Sequence, residues 1–389
     1  MKNRLVVIGS AVAASVGLCL GAAPAAMAQA PLKVSVACGD VAALLTAVGD
    51  ANANDDGGTI TLAKDCAYTF TDDFEDSGTA LPAITGKVKI VGRNSTLIRS
   101  ATQGLPLFRM IWVNEGGELL LKGVTVAGGH SDGYGGGINN AGTLRLEDSK
   151  VAGNRADGEG GGIHNTAGST TLVDSEVLTN VAVTTNGIAG NGGGISNDAD
   201  ATVTLTKSTV AGNAADGSGG GIENEGTLTV AHGLITNNVA RDGSGGGIDN
   251  LGTAKLRYTK VVENWAGRNG GGVNNGEEAT LEVHDSAIAD NRAALDGGGL
   301  NNAGTATLKK TKVEANQAGQ NGGGINNVEE NAGGVTQLTL EHVTIAENRA
   351  AVLGGGLNNG EGAGVTLTET KIVKNLPTNC AGTVPGCTA

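Results

Sequence analysis

Nine times the chain writes Gly-Gly-Gly, then Ile, Val or Leu, then a variable residue, then Asn. The aliphatic members are Ile138, Ile163, Ile195, Ile222, Ile248, Val273, Leu300, Ile325 and Leu357. The asparagines are Asn140, Asn165, Asn197, Asn224, Asn250, Asn275, Asn302, Asn327 and Asn359. Successive copies are 25 to 27 residues apart, with two steps of 32. A period of this length means a stack of similar units, so the repeat decides the fold. With 67 glycines in 389 residues, composition alone would suggest disorder. The glycines are periodic, however, and alternate with aliphatic strands.

A second register runs through each repeat. In Leu144-Arg145-Leu146-Glu147 the leucines alternate with charged residues, the pattern of a half-buried strand. Val151 follows five residues after Leu146, and Asn154 three after that. Val/Ile-x-x-Asn recurs, ending at Asn180, Asn213, Asn238, Asn264, Asn291, Asn316, Asn348 and Asn375. Eight of the nine asparagines precede x-Ala. Val, Ile and Thr dominate the inward positions, which favours strand. A coil of about three short strands cannot bury its own inner face, but stacked coils can, at about 4.8 Å per coil. The expected fold is all-β: a right-handed parallel β-helix with a short N-terminal capping helix. The asparagine columns have a structural reading, as corner residues that tolerate the left-handed region and as amide ladders.

The repeat, Gly-Gly-x-aliphatic paired with a spaced x-x-Asn, resembles that of the chlamydial polymorphic outer membrane proteins. More broadly, the chain is similar to secreted bacterial proteins of the pectate-lyase-like β-helix class. The likeness spans about residues 119 to 375. Two departures stand out: Val or Ile begins the second motif where those proteins carry Phe, and the chain ends at Ala389 with no membrane barrel. The resemblance implies the fold and, more weakly, an adhesive role.

Outside the repeats the chain reads in three parts. Residues 1–28 read as a signal peptide: Lys2 and Arg4, an apolar run, then Ala26-Met27-Ala28 as cleavage site. Residues 29–118 are expected to form a cap and irregular first coils, with an amphipathic helix N-capped by Asp40 and ending near Gly49. Residues 376–389 would close the other end. The four cysteines of the exported chain fall as end pairs, predicting Cys38–Cys66 and Cys380–Cys387. No stretch is apolar and long enough to cross a membrane as a helix. Two insertions, Val181 to Asn191 and the segment around Glu329, Glu330 and Gly334, break the period and fall at corners.

The formal charge of −13 repels nucleic acid and anionic lipid. Export would take it to −15, because Lys2 and Arg4 leave with the signal. Glycan-cleaving β-helix enzymes need carboxylates on an outer face. The variable position of the Gly motif reads Asn139, His164, Ser196, Glu223, Asp249, Asn274, Asn301, Asn326, Asn358. Glu223 and Asp249 are the best acidic pair, read as solvated carboxylates unless the chain is an enzyme. The column beginning at Asp148 carries His232, Tyr258 and Asp285 on successive coils, with no assignable reaction. Five scattered histidines suggest no metal centre, and no cofactor is expected. Aromatics are scarce, at 2%, which counts against a long sugar cleft. Trp265 should point outward, with Arg292 one coil on, as a ligand platform. The expectation is a secreted or envelope-associated, monomeric, non-enzymatic scaffold or binding protein, with a carbohydrate or cell-surface ligand. The alternative is a polysaccharide lyase or hydrolase using Glu223 and Asp249, walled by the insertions.

Overall fold

The computed structural model describes residues 30–328 and 336–387. The signal-peptide reading and the insertion around Glu329 lie outside them. Every strand ladder is parallel, and each strand pairs with its counterpart one coil away. Parallel neighbours joined this way coil right-handedly, so the chain is a right-handed parallel β-helix.

One coil shows how the sequence makes it. Ile163–Asn165 is a three-residue strand, Ser169–Val173 a five-residue one, Glu176–Leu178 three again and Val181–Ala182 two. Four strands per coil, rather than three, lie on three faces, because the second and third meet at a bend in one 23-stranded sheet. The bend residue is Asp174, at φ 48°. The same place is left-handed in every repeat coil, whether Asp148, Lys207, His232, Tyr258, Asp285, Lys310, His342 or Glu369 occupies it. The ladder asparagines are not the left-handed residues. That conformation falls to this column and to the residue before the second asparagine, as at Thr179, Asn237 and Glu263.

Ile163, Leu172, Val177 and Ala182 point inward with no exposure, and their equivalents are buried along the stack until the last coil, where Leu367 and Ile372 are half-buried. Two amide ladders share this interior. Asn165 Nδ2 donates to Asn197 Oδ1 at 2.8 Å, and the chain of such bonds runs from Asn140 to Asn359. The second runs from Asn154 to Asn379. Each amide of this ladder also donates to a backbone carbonyl, as Asn213 does to Val177 O at 3.0 Å. The buried backbone N–H of each ladder asparagine is likewise satisfied, by the amide oxygen of the next coil, as Asn180 N is by Asn213 Oδ1 at 2.9 Å.

The helix α1 (Val41–Ala53) is N-capped by Asp40, whose Oδ1 accepts from Ala43 N at 3.0 Å. It continues past Gly49 to Ala53, because Gly49 does not take the left-handed conformation of a C-cap glycine, and buries Leu44, Ala47, Val48 and Ala51 against the first strands. Cys38 is bonded to Cys66 and Cys380 to Cys387. At the far end Cys380–Gly382 pairs with Leu357–Asn359 as the last strand of its sheet. Among the described residues no helix is long and apolar enough to cross a membrane.

Candidate functional site

The outward side of the three-residue strands is not open surface. The first glycine of each triplet is left-handed, near φ 60° to 67° in the central coils, and turns the backbone back over the strand. A Cβ placed on Gly160 would stand 2.7 Å from His164 Cβ, and one on Gly219 would stand 2.6 Å from Glu223 Cβ. The variable residues therefore form the floor of a narrow trough. One wall carries the residue before the triplet (Glu159, Asn191, Ser218), the other the residue after the ladder asparagine (Thr166, Asp198, Glu225).

Enclosure corrects the reading of Glu223 and Asp249 as solvated carboxylates. They are only 3% and 4% exposed, side by side on paired strands. Ser196 Oγ donates to Glu223 Oε2 at 2.7 Å. From the other side Asn274 Nδ2 donates to Asp249 Oδ1 at 2.7 Å. Behind Asn274 a third amide row continues through Asn301, Asn326 and Asn358. Burial pushes the Glu223 carboxyl up to about 8; the Ser196 hydroxyl opposes this, and the charges of Glu159, Glu225 and Asp249 add to it. Burial also raises Glu225, with Asp198 and Glu159 adding.

Two coils away on the same floor lies His164. Its Nδ1 is 3.0 Å from Asn139 Oδ1 and 3.1 Å from Thr166 Oγ1. Its Nε2 is 3.1 Å from Asp198 Oδ1 and 3.7 Å from Glu159 Oε2. Nε2 is thus ion-paired to both carboxylates but buried without a hydrogen bond: Glu159 is too far for one and Asp198 is not aligned. The Tyr134 ring stacks on the imidazole, centroids 4.9 Å apart. Burial disfavours the imidazolium, but Asp198 and Glu159 outweigh it and raise the ring to about 9. Glu159, His164 and Asp198 each offer one ligand atom, and the three lie within 4.8 Å of one another.

The column reading found Glu223, Asp249 and His164 but treated each column alone. Glu225 is legible as a neighbour of Glu223, but Glu159 and Asp198 were missed because they sit one place outside the motif. Reading three adjacent columns in register would have placed them around His164 and Glu223.

Trp265 and Arg292 lie elsewhere, on the sheet of two-residue strands. They are paired in register, with Gln317 and Arg349 on the next two coils. Trp265 is half-buried, whereas Arg292, Gln317 and Arg349 are exposed. Arg292 does not cap the indole: the cation–π contacts among the described residues are Arg99 over Phe108 and Arg109 over Trp112. Arg292, Gln317 and Arg349 line an open groove that ends at Leu376 and Pro377. Earlier arginines on this side are matched, Arg155 by Asp157 and Arg241 by Asp216. Among the described residues, Arg292 and Arg349 have no ion-pair partner.

Fold and site together define a parallel β-helix protein with an enclosed acidic trough on one face and a basic groove on another. No protein-family model matches the chain, and no curated protein matches it in sequence. Among solved structures it is similar to the pectate lyase Pel9A, with 14% identity, TM-score 0.49, and 91% of this chain and 82% of that one covered. It is also similar to the Dettilon tailspike protein, with 13% identity, TM-score 0.38, and 86% and 70% covered. At these identities the likeness is one of fold.

Proposed function

We propose that the chain is a secreted, non-enzymatic β-helix binding protein, adhesin-like or associated with the cell envelope, that holds an acidic carbohydrate chain in the groove of Arg292, Gln317 and Arg349. The observation that carries this reading is a pair of exposed arginines, unmatched among the described residues, in a chain of formal charge −13. Donors on successive coils repeat about every 4.8 Å. A guanidinium offers a planar fork that suits a carboxylate, and Trp265, one coil before Arg292 on the same sheet, adds a half-buried ring to stack on a sugar. The four cysteines joined in two disulfides suit an oxidising compartment. The resemblance of the repeat to the chlamydial proteins supports the adhesive role.

Glycan cleavage at Glu223 and Asp249 is the weaker reading, because both carboxylates lie under the glycine turns and already accept from Ser196 and Asn274. A polymer could not reach them without opening the wall.

The test is retention on an immobilised polyuronate against a neutral polysaccharide, with the soluble products assayed in parallel. Polyuronate retention that weakens with salt and is lost in Arg292→Ala/Arg349→Ala is expected. Equal retention by that variant would remove the groove, and new unsaturated or reducing ends would overturn the non-enzymatic reading.

A further inference from the structure

We propose that Glu159, His164 and Asp198 form a binding site for one borderline divalent first-row cation of the zinc class, independent of the basic groove. The acidic side chains alone would not make such a site. What points to a ligand is His164 Nε2, in a side chain 5% exposed, facing both carboxylates without a hydrogen bond.

The tautomer follows from the other ring nitrogen. Asn139 Oδ1 can only accept, so the Nδ1 it contacts at 3.0 Å carries the proton. In the empty site Nε2 holds a proton between Asp198 and Glu159; a cation that displaces that proton meets the Nε2 lone pair and both carboxylates. A metal-bound histidine usually has its second nitrogen tied to an oxygen in this way. Tyr134, stacked on the ring, fixes its plane.

The spacing also fits. Donors at about 2.0 to 2.2 Å around a tetrahedral zinc lie roughly 3.4 Å apart. The two Nε2–carboxylate separations are 3.1 and 3.7 Å. Modest carboxylate rotation completes the set. Two carboxylates neutralise a divalent charge. One imidazole with two carboxylates suits zinc, cobalt or manganese better than calcium or magnesium, which take oxygen donors. Asp198 is 32% exposed and Glu159 25%, so the mouth admits the ion and leaves room for water.

The purified full chain, stripped with chelator, would be titrated calorimetrically with Zn²⁺, and with Co²⁺ while following visible absorption. One Zn²⁺ per chain is expected, unaffected by excess Ca²⁺ or Mg²⁺, with Co²⁺ developing ligand-field bands. His164→Gln and Asp198→Asn should each weaken binding at least about 10-fold; Asn139→Ala/Thr166→Val, which removes both oxygens at Nδ1, should weaken it about 10-fold. Asp198 is at the trough's rim, so its variant should keep the wild-type circular dichroism. No saturable Zn²⁺ binding, or equal binding by the Asp198 and His164 variants, would overturn the site and leave an imidazolium–carboxylate ion cluster. Equal affinity for Ca²⁺ would overturn the class of cation.

Discussion

Glu223 and Asp249 stand in register on adjacent strands, both enclosed, with one hydroxyl and one amide donating to them from opposite sides. Two neighbouring buried carboxylates disfavour double ionisation.

This pair makes stability fall with rising pH. Burial lifts Glu223 from its ordinary 4.5 to about 8, so the folded state holds a proton that the unfolded state has lost. That contribution is complete below about pH 4.5 and gone above about 8. His164, raised from 6.5 to about 9 by Asp198 and Glu159 against the effect of burial, has the same sign over its own window. Denaturation midpoints in chelator should therefore drop from pH 6 to pH 9. Glu223→Gln should flatten the part below pH 8 and leave the His164 part. A profile level across this range would refute the enclosed carboxyl.

The amide ladders should be the costliest side chains to remove. Asn213 Nδ2 donates to Val177 O and Asn238 Oδ1, and Asn213 Oδ1 accepts from Asn180 N and Nδ2. Asn213→Ala would strand several buried groups at once, at about 3 kcal/mol. Asn237, one coil on beside the next ladder residue, is exposed and left-handed at φ 55°. Asn237→Gly should change stability by less than about 0.5 kcal/mol. Urea midpoints, with amide exchange reporting on the affected coil, separate the two.

The coil was legible because its signals are local and repeated. Aliphatic-x-Asn, Leu-x-Leu and Val-x-x-Asn each fix which side chains face inward, and stacking then follows. The trough was not legible, because an outward residue on a strand normally meets water. Here the left-handed first glycine carries backbone back across it, so Glu223 is buried although its strand alternation is unexceptional. The bend was missed for a related reason. Lys207, Tyr258 and Asp285 share a left-handed φ without sharing a residue type that signals it. Trp265 and Arg292 were placed correctly as neighbours by register alone, but the stacking of one on the other depends on rotamers that register does not set.

The three glycines of one triplet are not equivalent. Gly160 is held at φ 66°, whereas a Cβ on Gly161 would fall 2.5 Å from the carbonyl oxygens of Gly193 and Val181. One on Gly162 would meet the Asn180 amide at 2.9 Å. Backbone oxygens in a closed stack cannot step aside, so Gly161→Ala should cost about 3 kcal/mol or more. Gly153 has a positive φ of 64° but open space around its missing Cβ. Gly153→Ala should cost only about 1 to 2 kcal/mol, the strain of the left-handed region. Thermal unfolding of the two variants beside wild type measures the difference, and equal losses would mean that conformation, not coil-to-coil closeness, selects the triplet.

The bend column offers the reverse test, a substitution that gains stability. Lys310 sits at φ 47° with its side chain exposed. A lysine there bears left-handed strain that asparagine tolerates better. Lys310→Asn keeps the backbone donor and acceptor of the bend, and it loses less to the unfolded chain's freedom than glycine would. It should raise stability by about 0.5 kcal/mol, read as a higher urea midpoint with an unchanged slope. The same exchange at Lys309, an ordinary strand residue paired to Glu341 at 2.9 Å, should give no gain. If Lys309→Asn and Lys310→Asn behave alike, the bend is not a strained position and its varied occupants need no explanation from backbone conformation.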